Sequence, residues 1–261
     1  MWFAWFKRLM TATNPRALAN PENFGNSENS ENPESWCTLH EMTSREFRDR
    51  LARRAQPAGV TLTRPVVEQL ETYFQLLARW NARINLTSLP LSNPTDETLD
   101  RLLIEPLAAA KYVRDSAINW FDLGSGGGSP ALPLKILRPR VRLTMVESKA
   151  RKVAFLREAV RVLRLSEASV ENRRFEQVAL ETAAVDRASL VTVRAVRPDA
   201  ELFSVVIQLL RLGGRLLLFR SEGRDQAKPP GLRLVENAIL TEKPRTYVTI
   251  YEMVFHVEQS G

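Results

Sequence analysis

Between residues 43 and 112, apolar residues recur three and four positions apart, which is the spacing of helices that bury one face. The clearest stripe predicts a helix that opens at Thr63-Arg64-Pro65 and continues through Val66, Leu70, Phe74, Leu77, Trp80 and Ile84. A shorter helix before it is capped by Thr43 or Ser44, and a third helix begins near Asp96 and bends at Pro106. We therefore expect an N-terminal helical unit over residues 43–112.

Beyond Tyr112 the pattern changes to short β-rich runs that alternate with helical stretches. Strands are predicted over residues 118–123, 141–146, 169–173, 190–196 and 215–220, with a late antiparallel strand over 247–257. Helices are predicted over residues 132–137, 149–163 and 199–210. Such alternation is typical of an α/β fold, in which an open, mostly parallel sheet is covered on both faces. We expect this sheet domain to span residues 113–261.

The first 42 residues differ from the rest of the chain. Residues 1–10 are aromatic but lack the features of a signal peptide, and residues 20–35 form a polar tract too poor in apolar side chains to fold. We expect a disordered tail over residues 1–42. Met42 directly precedes the first helical pattern, so a natural start at that residue is a hypothesis that the intact mass of the native protein would test.

Composition narrows the possible classes of protein. The chain has 261 residues, 44% of them hydrophobic, which suffices for one large domain or two modest ones. No apolar run reaches the roughly 20 residues that cross a bilayer. One cysteine, Cys37, excludes a disulfide framework, and two histidines, His40 and His256, exclude a histidine-rich metal centre, so no metal site is predicted. We expect a soluble, cytoplasmic protein, with a monomer as the default oligomeric state.

The net charge of +7 belongs to one part of the chain. Residues 1–112 carry 13 basic and 13 acidic residues, whereas residues 113–261 carry 24 basic and 17 acidic ones. Nineteen of those 24 basic residues are arginine, which suits the recognition of phosphates and bases. A polyanion-binding face and an ordinary solvated basic face both fit this distribution.

The sharpest motif is Phe121-Asp-Leu-Gly-Ser-Gly-Gly-Gly-Ser-Pro130, which follows the first predicted strand and opens a helix. Gly124, Gly126 and Gly128 permit a tight turn and the close approach of a ligand. The glycine spacing departs from the G-x-G-x-x-G of dinucleotide folds, and Asp122 is placed to meet the cationic end of an amino-acid-bearing ligand. These four residues are candidate cofactor ligands, and a purely structural turn is the alternative.

A second candidate ligand follows about 20 residues later, at the end of the second predicted strand. Glu147 occupies the position where a carboxylate accepts hydrogen bonds from ribose hydroxyls in nucleotide-binding sheets. A solvated surface charge is the alternative for this residue. Its spacing from the glycine turn favours ligand binding.

Four segments occur in a recognisable order: Trp80-Asn-Ala-Arg-Ile-Asn-Leu-Thr87, the glycine-proline run of residues 122–134, residues 147–156, and Val193-Arg-Ala195. Together they resemble the small-subunit ribosomal RNA methyltransferase G family, also called glucose-inhibited division protein B, over about residues 43–258. The resemblance implies a class I methyltransferase fold with a Rossmann-like sheet. It further implies transfer of a methyl group from S-adenosyl-L-methionine (AdoMet) to N7 of a guanine in the 16S rRNA of the 30S subunit.

The resemblance also implies roles for single residues. Gly124, Ser129 and Glu147 would meet the methionine and ribose parts of AdoMet, and Phe175 and Glu176 would meet the adenine. Arg194 would lie in the cofactor and substrate site, and Arg220 is a second catalytic candidate. A structural ion pair is the alternative for Arg194, and a core position is the alternative for Phe175.

The chain departs from the family pattern at three positions. Leu102 stands where a histidine is common, Arg220 replaces a frequent lysine, and Ala131 replaces a glycine. The first two differences bear on the nucleotide that is modified, and none of them bears on the cofactor.

The residue types near the motif also bear on the target atom. Methylation of a pyrimidine carbon needs a cysteine nucleophile, and methylation of an exocyclic amine usually accompanies an Asn/Asp-Pro-Pro-aromatic motif; the sequence offers neither near the site. Guanine N7 carries a lone pair and needs no general base. Arginine suits phosphates and guanine O6. The candidate RNA-facing residues are Arg151, Lys152, Arg194, Arg197 and Arg220, with Lys149, Arg157, Arg161 and Arg164 along the helix after Glu147.

Three other functions fit parts of the sequence. A methyltransferase of the same fold could act on another RNA, a protein or a small molecule. An NAD-dependent oxidoreductase also uses a glycine-rich turn, but no catalytic Tyr/Lys or His pair is recognisable. A non-catalytic rRNA-binding assembly factor could keep the AdoMet pocket, because the common histidine is lost. AdoMet binding would exclude the oxidoreductase, and turnover would exclude the assembly factor.

Overall fold

The computed structural model describes residues 42–114, 119–182, 187–221, 229–242 and 244–255. The tail predicted over residues 1–42 lies outside the described residues, apart from Met42. Within those ranges, no helix combines the length and the apolar character needed to cross a membrane.

Two long helices open the described chain. Helix α1 (Ser44–Ala55) begins at Thr43, whose hydroxyl accepts a hydrogen bond from the Glu46 N–H at 3.2 Å, as predicted for a capping residue. Helix α2 (Arg64–Asn81) has its proline in the first turn. The predicted stripe is confirmed, since Leu70, Phe74 and Leu77 are buried; Ile84 lies beyond the end of the helix.

The third predicted helix is instead a chain of four short segments. They are α3 (Asp96–Leu99), a π-helical turn (Asp100–Ile104), α4 (Glu105–Ala109) and a 3-10 turn (Ala110–Tyr112). Pro106 has no N–H to donate, and it lies in the first turn of α4 immediately after the π-helical turn. A π-helical turn interrupts the regular hydrogen-bond ladder and is frequent at functional sites.

A seven-stranded sheet forms the rest of the fold, in the order β3-β2-β1-β4-β5-β7-β6. Its strands are β1 (Asn119–Leu123), β2 (Arg142–Val146), β3 (Ala168–Glu171), β4 (Ala188–Arg194), β5 (Leu210–Arg220), β6 (Leu232–Glu242) and β7 (Arg245–Met253). Strands β1 to β5 pair in parallel, and β7 pairs antiparallel with both β5 and β6. The prediction of a mostly parallel sheet with a late antiparallel strand is confirmed.

Several predicted bounds were wrong by a few residues, and two elements were not predicted. Strand β3 ends at Glu171 rather than residue 173, β4 ends at Arg194 rather than residue 196, and β5 begins at Leu210. Strand β6 and one of the crossover helices were missed. The crossover helices are α5 (Ala131–Leu137), α6 (Ala150–Val162), α7 (Phe175–Thr182) and α8 (Ala200–Leu209), and α7 is the one that was missed.

Hydrophobic clusters cover the sheet on both faces. Neighbouring residues of β1 point to opposite sides, so that Trp120 belongs to one cluster and Phe121 to the other. The first cluster also contains Leu70 of α2 and Leu103 of the π-helical turn, so the N-terminal helices share a core with the sheet. They pack on the face that carries Trp120, which brings α2 and the residues that follow it close to the carboxyl end of β1.

Candidate active site

The sequence order of the strands reverses next to β1, which has β2 on one side and β4 on the other. Ligands of open α/β sheets bind in the crevice at such a point, outside the carboxyl ends of the strands. A cavity of about 670 Å³ opens there. Gly124, Gly126, Ser129, Glu147 and Arg194 line it from the sheet, whereas Leu77 and residues 85–89 line it from the N-terminal helical segment. We call it the first cavity.

Backbone hydrogen bonds fix the glycine turn to the end of β2. The N–H groups of Gly124 and Ser125 both donate to the Val146 carbonyl, at 2.9 and 3.1 Å. Gly124, Gly126 and Gly128 have φ of +73°, +51° and +85°, in the left-handed region that favours glycine. Gly128 does not line the first cavity; it is buried beneath the turn, where a Cβ would lie 2.4 Å from Leu132 Cδ1.

Glu147 connects the glycine turn to the beginning of helix α6. Its Oε2 accepts from the Gly126 N–H at 2.9 Å, and its Oε1 accepts from the Lys149 N–H at 2.8 Å. An ionised carboxylate accepts about four hydrogen bonds in all, so this group retains capacity for hydroxyl donors from the cavity. The geometry therefore suits the predicted ribose-binding role.

Asp122 is buried beneath the turn and is not among the residues that line the first cavity. Its Oδ1 accepts from the Thr192 hydroxyl at 2.5 Å, and that hydroxyl accepts from Trp120 Nε1–H at 2.8 Å. Its Oδ2 accepts no hydrogen bond from any described residue. Burial raises the pKa of Asp122 to about 6, although its hydrogen bonds and the charge of Arg194 act to lower it. Its predicted contact with the cofactor stays a prediction.

Asp122→Asn is expected to flatten the pH dependence of stability between about pH 4 and pH 6. The pKa of Asp122 is near 3.8 in an unfolded chain and about 6 in the folded one, so the folded state binds the proton more tightly. Its contribution to stability is complete below about pH 4 and is lost as the pH rises through about 6. Urea unfolding at a series of pH values measures the difference. If the free energy of unfolding depended on pH in the same way in both proteins, Asp122 would not be a buried group that titrates in this range.

Tyr73 of helix α2 holds the glycine turn from the other side, and the sequence analysis did not single it out. Its fully buried hydroxyl donates to the Gly127 carbonyl at 2.7 Å. A Cβ on Gly127 would lie 3.3 Å from Leu77 Cδ1 and 3.3 Å from the Leu86 carbonyl. The turn is therefore clamped between the sheet and the N-terminal helical segment.

Tyr73→Phe is expected to lower the free energy of unfolding by about 1–2 kcal/mol, because the Gly127 carbonyl loses its buried donor. AdoMet affinity should fall by about fivefold as the turn loosens. Tyr112→Phe is a matched control, since the Tyr112 hydroxyl donates to Glu236 in an exposed hydrogen bond of 3.2 Å. Chemical denaturation and calorimetric titration measure both effects. Equal losses in the two variants would show that the contact with the turn has no special role.

The loop after helix α2 forms the wall opposite the sheet. Asn81 Oδ1 accepts from the N–H groups of Leu86 and Thr87, at 2.9 and 3.0 Å, which fixes the shape of the loop. This loop begins in the Trp80–Thr87 segment, for which the sequence suggested a family but no chemistry. Asn85 and Ser88 in it are exposed and line the first cavity.

Arg194 ends strand β4 and is held by several partners. One terminal nitrogen donates to the Arg101 carbonyl and, at 3.3 Å, to Ser129 Oγ. The other donates to Glu105 Oε2 at 2.8 Å. The guanidinium carbon lies 4.7 Å from the centroid of the Phe219 ring. The ion pair considered for Arg194 from the sequence is thus present, and the same side chain also lines the cavity.

The ion pair between Glu105 and Arg194 is almost entirely buried. The exposed fractions of the two side chains are 3% and 14%. Burial lowers the pKa of Arg194, which the charge of Glu105 opposes, and burial raises the pKa of Glu105, which the charge of Arg194 opposes. Each residue therefore needs the other in order to remain charged inside the protein.

A second cavity of about 360 Å³ adjoins the first one, and Arg194 lines both. They share Arg101, Arg194, Ala195 and Val196. Glu105, Pro198, Phe219, Arg220 and Ser221 line the second cavity alone. Arg220, predicted as a catalytic candidate, therefore lies in the second cavity, whereas Gly124 and Glu147 line the first.

The structure does not bring the two predicted adenine contacts into the first cavity. Phe175 begins helix α7 and packs against the core cluster on the face that carries Phe121. Neither Phe175 nor Glu176 is among the residues that line the first cavity. Their roles stay predictions. Leu102, which replaces the common histidine, does line the first cavity, and Ala131 is fully buried in α5.

Comparison with known proteins agrees with this architecture. The sequence profile of the family described as rRNA small subunit methyltransferase G matches residues 66–229. The ribosomal RNA small subunit methyltransferase G of Roseiflexus castenholzii is 39% identical over 179 residues, which are 68% of this chain and 74% of the relative. That of Acidiphilium cryptum is 37% identical over 182 residues, 70% of this chain and 77% of the relative.

The chain belongs to the rRNA small subunit methyltransferase G family. A crystal structure of a proposed O-methyltransferase from Klebsiella pneumoniae superposes with a TM-score of 0.55 at 12% identity, over 80% of this chain and 99% of that one, which shows the same fold. The predicted family, the class I methyltransferase fold and the AdoMet-dependent enzyme class are thus confirmed.

The first cavity fits the cofactor of the methyltransferase G family. The glycine turn leaves room that a side chain would fill, because a Cβ on Gly124 would lie 3.0 Å from Val196 in the cavity wall. Glu147 offers a carboxylate for the ribose hydroxyls at the end of β2. Gly124, Gly126, Ser129 and Glu147 are the residues that would hold AdoMet there.

Proposed function

We propose that the protein transfers the methyl group of AdoMet to N7 of a guanine in the 16S rRNA of the 30S subunit. The main observation behind this proposal is the position of Arg194. Its side chain lies in the wall shared by a cofactor-sized cavity and a second, arginine-rich cavity. The names of the relatives support an rRNA of the small subunit as substrate. Both cavities lie within one chain, so a monomer can form the complete site. An rRNA substrate implies that the protein is cytoplasmic.

Bound AdoMet supplies an electrophilic methyl group on a sulfonium, which the acceptor displaces in line. The residues of the second cavity can position an acceptor, but those that are described provide no thiol and no unpaired base. Its described lining contains no cysteine, histidine or lysine, and its one carboxylate, Glu105, is paired with Arg194. The acceptor must therefore bring its own lone pair, as guanine N7 does.

The distribution of ion pairs supports RNA binding at the carboxyl edge of the sheet. Exposed Arg151 and Arg197 follow β2 and β4 at that edge, and neither forms an ion pair with a described carboxylate. Away from it, Arg114, Arg215 and Arg233 all pair with Glu252, at 2.5, 3.5 and 2.9 Å. Cations without a carboxylate partner near the cavities can contact phosphates of the RNA backbone.

The test is methyl transfer from labelled AdoMet to 30S subunits taken from cells that lack the modification, with 50S subunits as the comparison. We expect label in 16S rRNA and none in the RNA of the 50S subunit. AdoMet binding without label in either subunit would contradict the proposal and favour a non-catalytic rRNA-binding protein.

A further inference from the structure

We propose that the second cavity is the binding site of the target base, and that Arg194 and Glu105 recognise guanine together. Arg194 donates to guanine O6, and Glu105 accepts from guanine N1–H. This inference rests on the proposed function and identifies where the acceptor binds.

The second cavity is placed to present a base to the cofactor. It lies at the carboxyl ends of β4 and β5 and meets the first cavity along Arg101 and residues 194–196. A base that is stacked within RNA cannot enter a cavity, so the target nucleotide would leave the stack to bind here. The cavity holds three arginines against one carboxylate, which suits a base attached to a phosphate backbone.

The arginine–glutamate pair offers a donor next to an acceptor. Guanine presents the complementary order, with the O6 acceptor beside the N1–H donor, whereas adenine presents a donor amino group beside the N1 acceptor. Arg194 has five N–H donors. Three hydrogen bonds from its two terminal nitrogens to protein acceptors are described. Glu105 Oε1 is buried, and no described donor meets the geometry of a hydrogen bond to it, although the Thr246 hydroxyl is close enough to Glu105 to lower the pKa of that carboxyl. An incoming N–H donor would satisfy that oxygen.

This way of reading the base leaves N7 available for the methyl group. A donor placed on N7 would occupy the lone pair that the reaction needs, whereas donors on O6 leave that lone pair accessible. N7 and N1 lie on opposite sides of O6 on the guanine ring. With O6 at Arg194 and N1 at Glu105, which lines only the second cavity, N7 faces the first cavity.

Two exposed serines allow each cavity to be filled separately. Ser221 lines only the second cavity and Ser88 only the first. For Ser221→Trp we expect an AdoMet dissociation constant within about twofold of the unsubstituted protein and methyl transfer to 30S subunits slower by about 100-fold, because the base is displaced. For Ser88→Trp we expect AdoMet binding itself to weaken by at least about tenfold.

A third variant tests whether Glu105 recognises guanine by accepting a hydrogen bond from N1–H. Glu105→Gln keeps the size of the side chain but replaces one carboxylate oxygen by an N–H donor. We expect kcat/KM for 30S subunits to fall by about tenfold, with an unchanged AdoMet dissociation constant. Loss of the buried ion pair lowers the melting temperature in either case, so the melting temperature does not separate the two roles. An unchanged kcat/KM of the AdoMet-saturated enzyme would show that Glu105 has only a structural role, and it would overturn the proposed one.

The remaining outcomes separate this inference from the proposed function. Methyl transfer by Ser221→Trp at the unsubstituted rate would show that the base does not bind in the second cavity. Loss of AdoMet binding in Ser221→Trp would show that the two cavities are one site, which also overturns the inference. If the unsubstituted protein binds AdoMet but labels no 30S subunits, the proposed function fails, and the inference fails with it.

Discussion

Arg194→Met is expected to lower the free energy of unfolding by about 3–5 kcal/mol and to abolish methyl transfer. Removal of the guanidinium leaves the Glu105 carboxylate buried without its partner, and the Arg101 carbonyl and Ser129 Oγ lose their donor. The large effect comes from the uncompensated charge rather than from the strength of the ion pair itself. Methyl transfer is lost because the wall between the two cavities is no longer held in place.

A double variant separates these causes. Glu105→Gln/Arg194→Met removes the buried charge together with its partner, so it should be more stable than Arg194→Met alone. Burial already raises the pKa of Glu105 in the intact pair, and loss of Arg194 raises it further. The folded state of Arg194→Met then binds the proton more tightly than the unfolded chain, so its destabilisation should diminish as the pH falls. Urea unfolding at several pH values measures this, and equal stability of the single and double variants would contradict a charge-based cost.

Gly128→Ala is expected to lower the free energy of unfolding by about 3 kcal/mol, through two costs that add. The φ of +85° costs a residue with a Cβ about 1–2 kcal/mol. The new methyl group would lie 2.4 Å from Leu132 Cδ1, and such overpacking costs about 1–3 kcal/mol. Because Gly128 supports the turn that lines the first cavity, AdoMet affinity should fall by at least about tenfold.

Gly213→Ala is the matched control for this variant. Gly213 has a φ of +72°, and its Cβ would meet no atom within 4 Å. It should therefore show only the conformational cost of about 1–2 kcal/mol and leave AdoMet affinity unchanged. Equal losses of stability in the two variants would show that the packing of Gly128 against α5 is unimportant.

The sequence predicted the parts of the site that depend on residues close to one another along the chain. The glycine turn and Glu147 each follow a strand directly, and parallel strands bring their carboxyl ends to the same edge of the sheet. Both therefore line the first cavity, as expected from their spacing. Arg194 was implied instead by the resemblance of Val193-Arg-Ala195 to the family, and the structure places it at the end of β4.

The parts that were missed depend on contacts between distant residues. Tyr73 reaches a turn 54 residues further along the chain, and Glu105 pairs with a residue 89 positions away. No local spacing indicates such partners. The Leu232–Glu242 strand was missed because it is an edge strand, which pairs with β7 alone among the described strands. Several of its apolar side chains, such as Leu234 and Ile239, therefore remain exposed. Its alternation of apolar and polar residues is correspondingly weak.

The most direct test of the account is the identity of the methylated atom. We would treat unmodified 30S subunits with the protein and AdoMet, extract the 16S rRNA, and apply borohydride reduction followed by aniline, which cleaves RNA at 7-methylguanosine. We expect one cleavage site, at a guanine, that is absent when Arg194→Met replaces the unsubstituted protein. Methyl label in the 16S rRNA without any cleavage would show that another atom is methylated, and it would contradict the assignment of guanine N7.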